Sequence, residues 1–357
     1  MRAAAETLAA GEHLSAWDLD EAGPDDLLEL REIRRTGTPA LRNAARALLY
    51  AVGGPAGLGE YDLALVRRLI RSKLADDVPV PMDCCEVWYA IPTTDQAAVL
   101  DAFGLSDAEP VTMSLGTEIW SRHYSGLGHQ RCAQVYVSPA LDGWTLVFGS
   151  ASQDQHPPGI VEERDWDTGP RDMYANILAN EAVWRRVTRE RCVELSRRFG
   201  TAHFYFASHG DASTSWCIAE KGELVRFYDV SVPEEAVGEL AAENGYLLPH
   251  EDMPLPEGWD DDIEHTENPS DWQREWFRRY RRLKTELGIP DHCGAETLAE
   301  ALSVFPGKIG PHTHVEGNGV IALTGCGREY GHPRTLLTGL TYTPPPERPS
   351  IFDEDQT

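Results

Sequence analysis

Apolar residues recur at three- and four-residue steps through residues 25 to 75: Leu27, Leu28, Leu30 and Ile33, then Leu41, Ala44, Ala45, Leu48 and Leu49, then Leu63, Leu65, Val66, Leu69 and Ile70. That period predicts three amphipathic helices. Thr36-Gly37-Thr38-Pro39 ends the first and starts the second. Gly53-Gly54-Pro55-Ala56-Gly57-Leu58-Gly59 is expected to separate the second from the third. The acids and prolines of Asp76 to Pro81 mark a boundary, so residues 1–80 are read as a helical N-terminal region.

From Cys85 the pattern shortens. Cys85-Glu86-Val87-Trp88-Tyr89-Ala90-Ile91 reads as a strand closed by Pro92. Thr93 with Gln96 forms a capping-box pattern ahead of a helix that Gly104 can close. Val111 to Trp120 follows as a segment of the strand-rich stretch. Gln134–Val137 and Trp144–Phe148 then form a hairpin around Asp142-Gly143. After a polar loop at 150–170, Met173 to Phe199 is helical and Gly200 stops it. Ala202–Ala207, Ser215–Ala219 and Leu224–Val230 are strands, the last two joined by Lys221-Gly222.

Residues 251 to 267 form an acidic loop without Lys or Arg, followed by a helix opening at Ser270-x-x-Gln273 that carries Trp272, Trp276, Phe277 and Tyr280. Its basic face (Arg274, Arg278, Arg279, Arg281, Arg282, Lys284) is expected to neutralise the loop. A short helix at Ala295–Val304 and strands at Val315–Thr324 and Leu336–Thr341 end the α+β domain, 81–343, and the tail 344–357 is expected to fray. The fold class is therefore α+β: a small helical layer, then a mixed, largely antiparallel sheet with packed helices. Strands and helices do not alternate as a doubly wound parallel sheet requires.

Composition narrows the function classes. An apolar fraction of 41% with 10 Trp, 12 Tyr and 9 Phe supports a packed core. Fifty-eight acids against 32 Lys and Arg give a formal charge of −26, which repels nucleic-acid phosphates and anionic lipid, so neither nucleic acid nor membrane is expected as a partner and a basic protein is. Seven Cys, no signal-like first twenty residues and no long apolar run point to a cytoplasmic protein with free thiols.

No catalytic constellation stands out, and the catalytic residues are unassigned. Residues 53–59 lack the Gly-Lys-Ser/Thr ending of a phosphate loop. His209-Gly210-Asp211 has the His-x-Asp spacing of an iron facial triad, which His250, His265, His312 or His314 would complete; the plainer reading is an Asp-Gly turn. His312-Thr313-His314, with Cys326 and His332 nearby, could supply zinc ligands, although no Cys-x-x-Cys or His-Glu-x-x-His accompanies them. Cys84 and Cys85 are adjacent and point to opposite faces of a strand, which suits packing. Ser208, His209 and Asp211 contain triad residue types without a nucleophile elbow. Trp88, Trp144 and Trp216 are assigned to the core.

The segments Glu86-Val-Trp-Tyr-Ala-Ile-Pro-Thr-Thr-Asp-Gln96, Val135 to Gly149 and Leu195 to Gly200 resemble stretches of bacterial proteins with no assigned activity. In its α+β character, Trp-rich hairpins and acidity the chain also resembles the SMI1/KNR4-like immunity proteins, and that resemblance implies a protein that binds and blocks a toxin. No motif transfers residue by residue. The sequence thus favours a non-catalytic protein-interaction protein, immunity-like or regulatory, without a cofactor. The alternative is an iron- or zinc-dependent enzyme using His209 and Asp211, or His312 and His314.

Overall fold

Apolar stripes at helical spacing need a partner layer, and the N-terminal helices supply one another's. In the computed structural model, which describes residues 1–12, 14, 22, 24–82, 87–123, 133–149, 170–210, 212–260 and 269–330, helices α1 (Arg2–Ala9), α2 (Pro24–Thr36), α3 (Pro39–Gly57) and α4 (Glu60–Leu74) enclose a core of Ala5, Leu30, Ile33, Ala45, Leu48 and Val66. Thr38 caps α3 by accepting from the Leu41 amide at 3.5 Å. The glycine run is not the expected linker: α3 continues to Gly57, leaving only Leu58 and Gly59 before α4. A Cβ on Gly57 would lie 2.1 Å from the Leu49 carbonyl oxygen, so close backbone approach explains that glycine.

The remaining elements are β1 (Val87–Ile91), α5 (Gln96–Ala102), β2 (Ser106–Val111), α6 (Met113–His123), β3 (Gln134–Leu141), β4 (Trp144–Phe148), α7 (Pro170–Phe199), β5 (Thr201–Ala207), β6 (Thr214–Glu220), β7 (Glu223–Asp229), α8 (Pro269–Leu287), α9 (Ala295–Leu302), β8 (Val315–Glu316), β9 (Gly319–Leu323) and α10 (Gly325–Tyr330). The strands form one sheet in the order β2-β9-β3-β4-β1-β5-β6-β7, with β8 also on β3, and every ladder is antiparallel. The α+β class holds. Both hairpin turns are as expected, with Asp142 and Gly143 at φ +49° and +84° and Lys221 and Gly222 at +49° and +86°.

Two local expectations change. Val111 to Trp120 is mostly helix α6: Thr112 Oγ1 accepts from the Leu115 amide at 3.2 Å at its start. Helix α5 is capped by Asp95, whose Oδ1 accepts from the Ala98 amide at 3.0 Å, whereas Thr93 Oγ1 accepts from the Asp95 amide. Gln96 does not close a capping box; its side-chain amide bridges the Ser138 and Asn318 carbonyls.

Alternate side chains of each strand enter one of two cores. On one face a row of aromatics crosses the sheet in register: Tyr136, Phe148, Trp88, Tyr205, Trp216 and Tyr228, all fully buried. Three neighbouring pairs stack, Tyr136–Phe148 at 5.7 Å, Trp88–Tyr205 at 5.3 Å and Trp216–Tyr228 at 4.3 Å. Side chains of α6 and α9 and of the segment 302–309 pack over this row. The opposite face packs Tyr89, Val137, Val147, Phe204, Cys217 and Phe227 against α5 and α7. Trp88 and Trp216 thus take the core positions expected of them, and Trp144 is half-buried beside it. Cys84, Cys85, Cys132, His265, His332, the strand expected at 336–341 and the tail 344–357 lie outside the described residues.

Among the described residues no helix is long and apolar enough to cross a membrane. Helix α8 sets Trp276 and Tyr280 against Trp259, with Trp276 stacked on Tyr280 at 5.1 Å, and leaves Phe277 exposed. Among the described residues its ion pairs include Arg278 to Glu275, Arg282 to Glu286 and Lys284 to Asp291. The acidic loop reaches it through Asp260, which accepts from Trp276 Nε1 at 3.1 Å.

Candidate functional site

Three histidines singled out from the sequence, His209, His312 and His314, sit at the protein surface. His209 follows β5, exposed, with Nε2 2.9 Å from Glu296 Oε1 on α9. Its proposed co-ligand Asp211 lies outside the described residues. His312 and His314 flank buried Thr313 in the turn before β8, both exposed, and His314 Nε2 is 3.3 Å from Glu316 Oε1. His250 is engaged elsewhere, with Nδ1 3.0 Å from the Tyr228 hydroxyl, and Cys326 is buried on α10. Among the described residues no three His, Cys, Asp or Glu side chains are arranged to hold a metal ion.

Beneath α9 lies a buried polar chain that sequence reading did not pick out. His203 and Tyr205 point to the same face of β5; His203 Nδ1 is 3.1 Å from the Tyr205 hydroxyl, which is 3.2 Å from Ser303 Oγ. Trp144 covers the imidazole at 5.0 Å. Burial pushes His203 down to about 4 and raises Tyr205, so both are neutral at pH 7.

A second buried set joins the sheet to the segment after it. Arg226 on β7 donates from Nε to Glu243 Oε1 at 2.8 Å and from Nη1 to the Gly238 carbonyl at 2.8 Å. Glu243 also accepts from Trp216 Nε1 at 2.9 Å and from the Leu240 amide at 3.1 Å. A charge pair this deep persists only where its remaining hydrogen-bonding positions are filled, as here. Val237 adds a backbone bridge to Phe227, so the segment 233–243 is lashed to the sheet edge. Glu234, Glu239, Asp252 and Glu257 stay exposed along the continuing ribbon.

At the opposite sheet edge, a seam runs between α4 and β2. Arg67 pairs with Glu109 across its mouth, and a cavity of about 230 Å³ behind them has apolar walls including Val66, Ile70, Leu115 and Ile119. The Tyr50 phenol faces it, raised to about 12 by burial.

The chain matches no protein-family model, and neither a curated protein nor a solved structure is significantly similar to it.

Proposed function

We propose that the protein is a non-catalytic interaction protein, immunity-like or regulatory, that takes a basic protein as its partner on the acidic ribbon following β7. One observation carries the reading. Between Arg226 and Arg274 the chain contains no Lys or Arg, the first part of that stretch is held on the sheet by the Arg226–Glu243 clamp, and Glu234 and Glu239 within it and Asp252 and Glu257 beyond it are exposed. Carboxylates fixed on a rigid edge lose little freedom when a cationic surface docks, and the acidity of the whole chain speeds that encounter.

The test is capture by the untagged full chain of proteins from a lysate of its source cells, followed by association kinetics of the recovered partner across ionic strength. A stoichiometric basic partner is expected, with an association rate that falls steeply as salt rises. Reversal of Glu234, Glu239, Asp252 and Glu257 to Lys should remove binding while leaving the buried Glu243 in place. Recovery of no stoichiometric partner, or binding indifferent to the four reversals, overturns the reading.

A further inference from the structure

On the sheet face opposite the aromatic row, α7 crosses β5, β6 and β7 and leaves a cleft of about 310 Å³. That volume is at the low end of the ~300–1,000 Å³ typical of small-molecule pockets. Phe204, Phe206 and Phe227 from the strands and Trp184 from α7 give it aromatic walls.

The polar groups lining the cleft are the unusual part. Thr188 and Ser215 are 5% and 8% exposed, and among the described residues no hydrogen bond occupies either hydroxyl. Arg185, with a side chain 12% exposed, has a fully buried Nε without a hydrogen-bond partner among the described residues. Among the described residues it pairs with Glu235 at 3.7 Å and Glu181 at 3.8 Å, both beyond hydrogen-bonding distance, and Glu235 lies closer to Arg189, at 3.4 Å. Buried donors of this kind are ordinarily satisfied, and a guanidinium fork matches a carboxylate. Yet the cleft also holds the carboxylates of Asp229 and Glu181, and the chain as a whole carries −26, so a plain anion is repelled.

We propose that this cleft binds a free α-amino acid with an apolar side chain: its carboxylate on Arg185 with the Thr188 and Ser215 hydroxyls, its ammonium toward Asp229 and Glu181, its side chain among the aromatic walls. A zwitterion meets both signs of charge, and the apolar walls favour a side chain that a bare glycine lacks. The inference stands apart from the partner reading and rests on different residues.

Isothermal titration of the full chain with glycine, leucine, phenylalanine, tyrosine and tryptophan at millimolar concentration tests it, alongside phenethylamine and 3-phenylpropionate, which each lack one charge. At least one apolar amino acid should bind with one-to-one stoichiometry, and each single-charge analogue of it about tenfold or more weaker, the loss expected for one charged hydrogen-bonded contact. Arg185→Gln should weaken binding by a similar factor. The double variant Thr188→Val with Ser215→Ala, which leaves the Arg185 ion pairs intact, should weaken it several-fold and serves if Arg185→Gln does not fold. Absence of binding by every amino acid, or an analogue binding as tightly as its parent, overturns the proposal.

Discussion

Arg226 on β7 and Glu243 in the segment beyond it face each other at 2.8 Å, with side chains only 3% and 10% exposed. Arg226 also spreads its donors over the Phe227, Val237 and Gly238 carbonyls. Removing the acid alone strands a guanidinium out of water. Glu243→Ala is therefore expected to destabilise the fold by about 3–5 kcal/mol, whereas replacing both partners by apolar residues, Arg226→Met with Glu243→Leu, should cost much less. Urea denaturation of the two variants checks the order. If the single and double variants lose equal stability, the pair is not what holds the ribbon down.

His203 gives the fold an acid-sensitive element. Its pKa is lowered from 6.5 to about 4 because burial under Trp144 disfavours the imidazolium. Since the unfolded chain binds the proton first as pH falls, the neutral imidazole's contribution is complete above pH 6.5. It drains away between 6.5 and about 4 and changes no further below that. The loss is at most about 3 kcal/mol. Carboxylates titrate toward the lower end of the same window, so the informative comparison is with His203→Phe, whose stability should fall less between pH 6.5 and 4.5. Parallel pH profiles for the two proteins would remove His203 as the cause.

Tyr136 is gripped between two glycines. A Cβ at Gly116 on α6 would lie 2.2 Å from Tyr136 Cε2, and one at Gly319 on β9 would lie 2.6 Å from the same atom. Alanine is the better helix former by about 1 kcal/mol, but the ring is fully buried and closely approached by Gly319 as well. Gly116→Ala should therefore be net destabilising, by about 1–3 kcal/mol of overpacking. The same substitution in a Tyr136→Leu background should cost less, and a thermal denaturation cycle over the four proteins measures the difference.

These contacts also explain which parts of the fold could be read along the chain. The turns at Asp142-Gly143 and Lys221-Gly222 are local, because positive φ at both positions is a property of the dipeptide and its two strands. Helix α6 is not local. Its apolar run is short and contains Gly116, and that glycine is required where the helix meets a tyrosine from a later strand; Thr112 caps its start. The passage of α3 through its glycines likewise depends on a close approach between Gly57 and Leu49. Of the sites, the exposed histidines stand out in sequence because they belong to short motifs. Arg226 and Glu243 are ordinary charges until the sheet edge brings them together, and Arg185, Thr188 and Ser215 come from a helix and a strand with no common spacing. Within α7, Arg185 and Thr188 share one helix face, but a charge and a hydroxyl three residues apart on a helix carry no signal of their own.

Two tyrosines of the aromatic row offer a matched comparison. The Tyr136 hydroxyl is buried with no hydrogen-bond partner among the described residues, while the Tyr205 hydroxyl lies between His203 Nδ1 at 3.1 Å and Ser303 Oγ at 3.2 Å. Both rings are fully buried and both stack on a neighbour in the row, so replacement by Phe changes little except the hydroxyl. At position 136 the change deletes a desolvated group that receives nothing in return, and Tyr136→Phe should be neutral or stabilising by up to about 1 kcal/mol. At position 205 it also strips His203 and Ser303 of a partner, and Tyr205→Phe should destabilise by about 1–3 kcal/mol. Chemical denaturation at pH 7 distinguishes the two, and equal losses at both positions would mean that the Tyr136 hydroxyl is satisfied in solution, by a buried water for example.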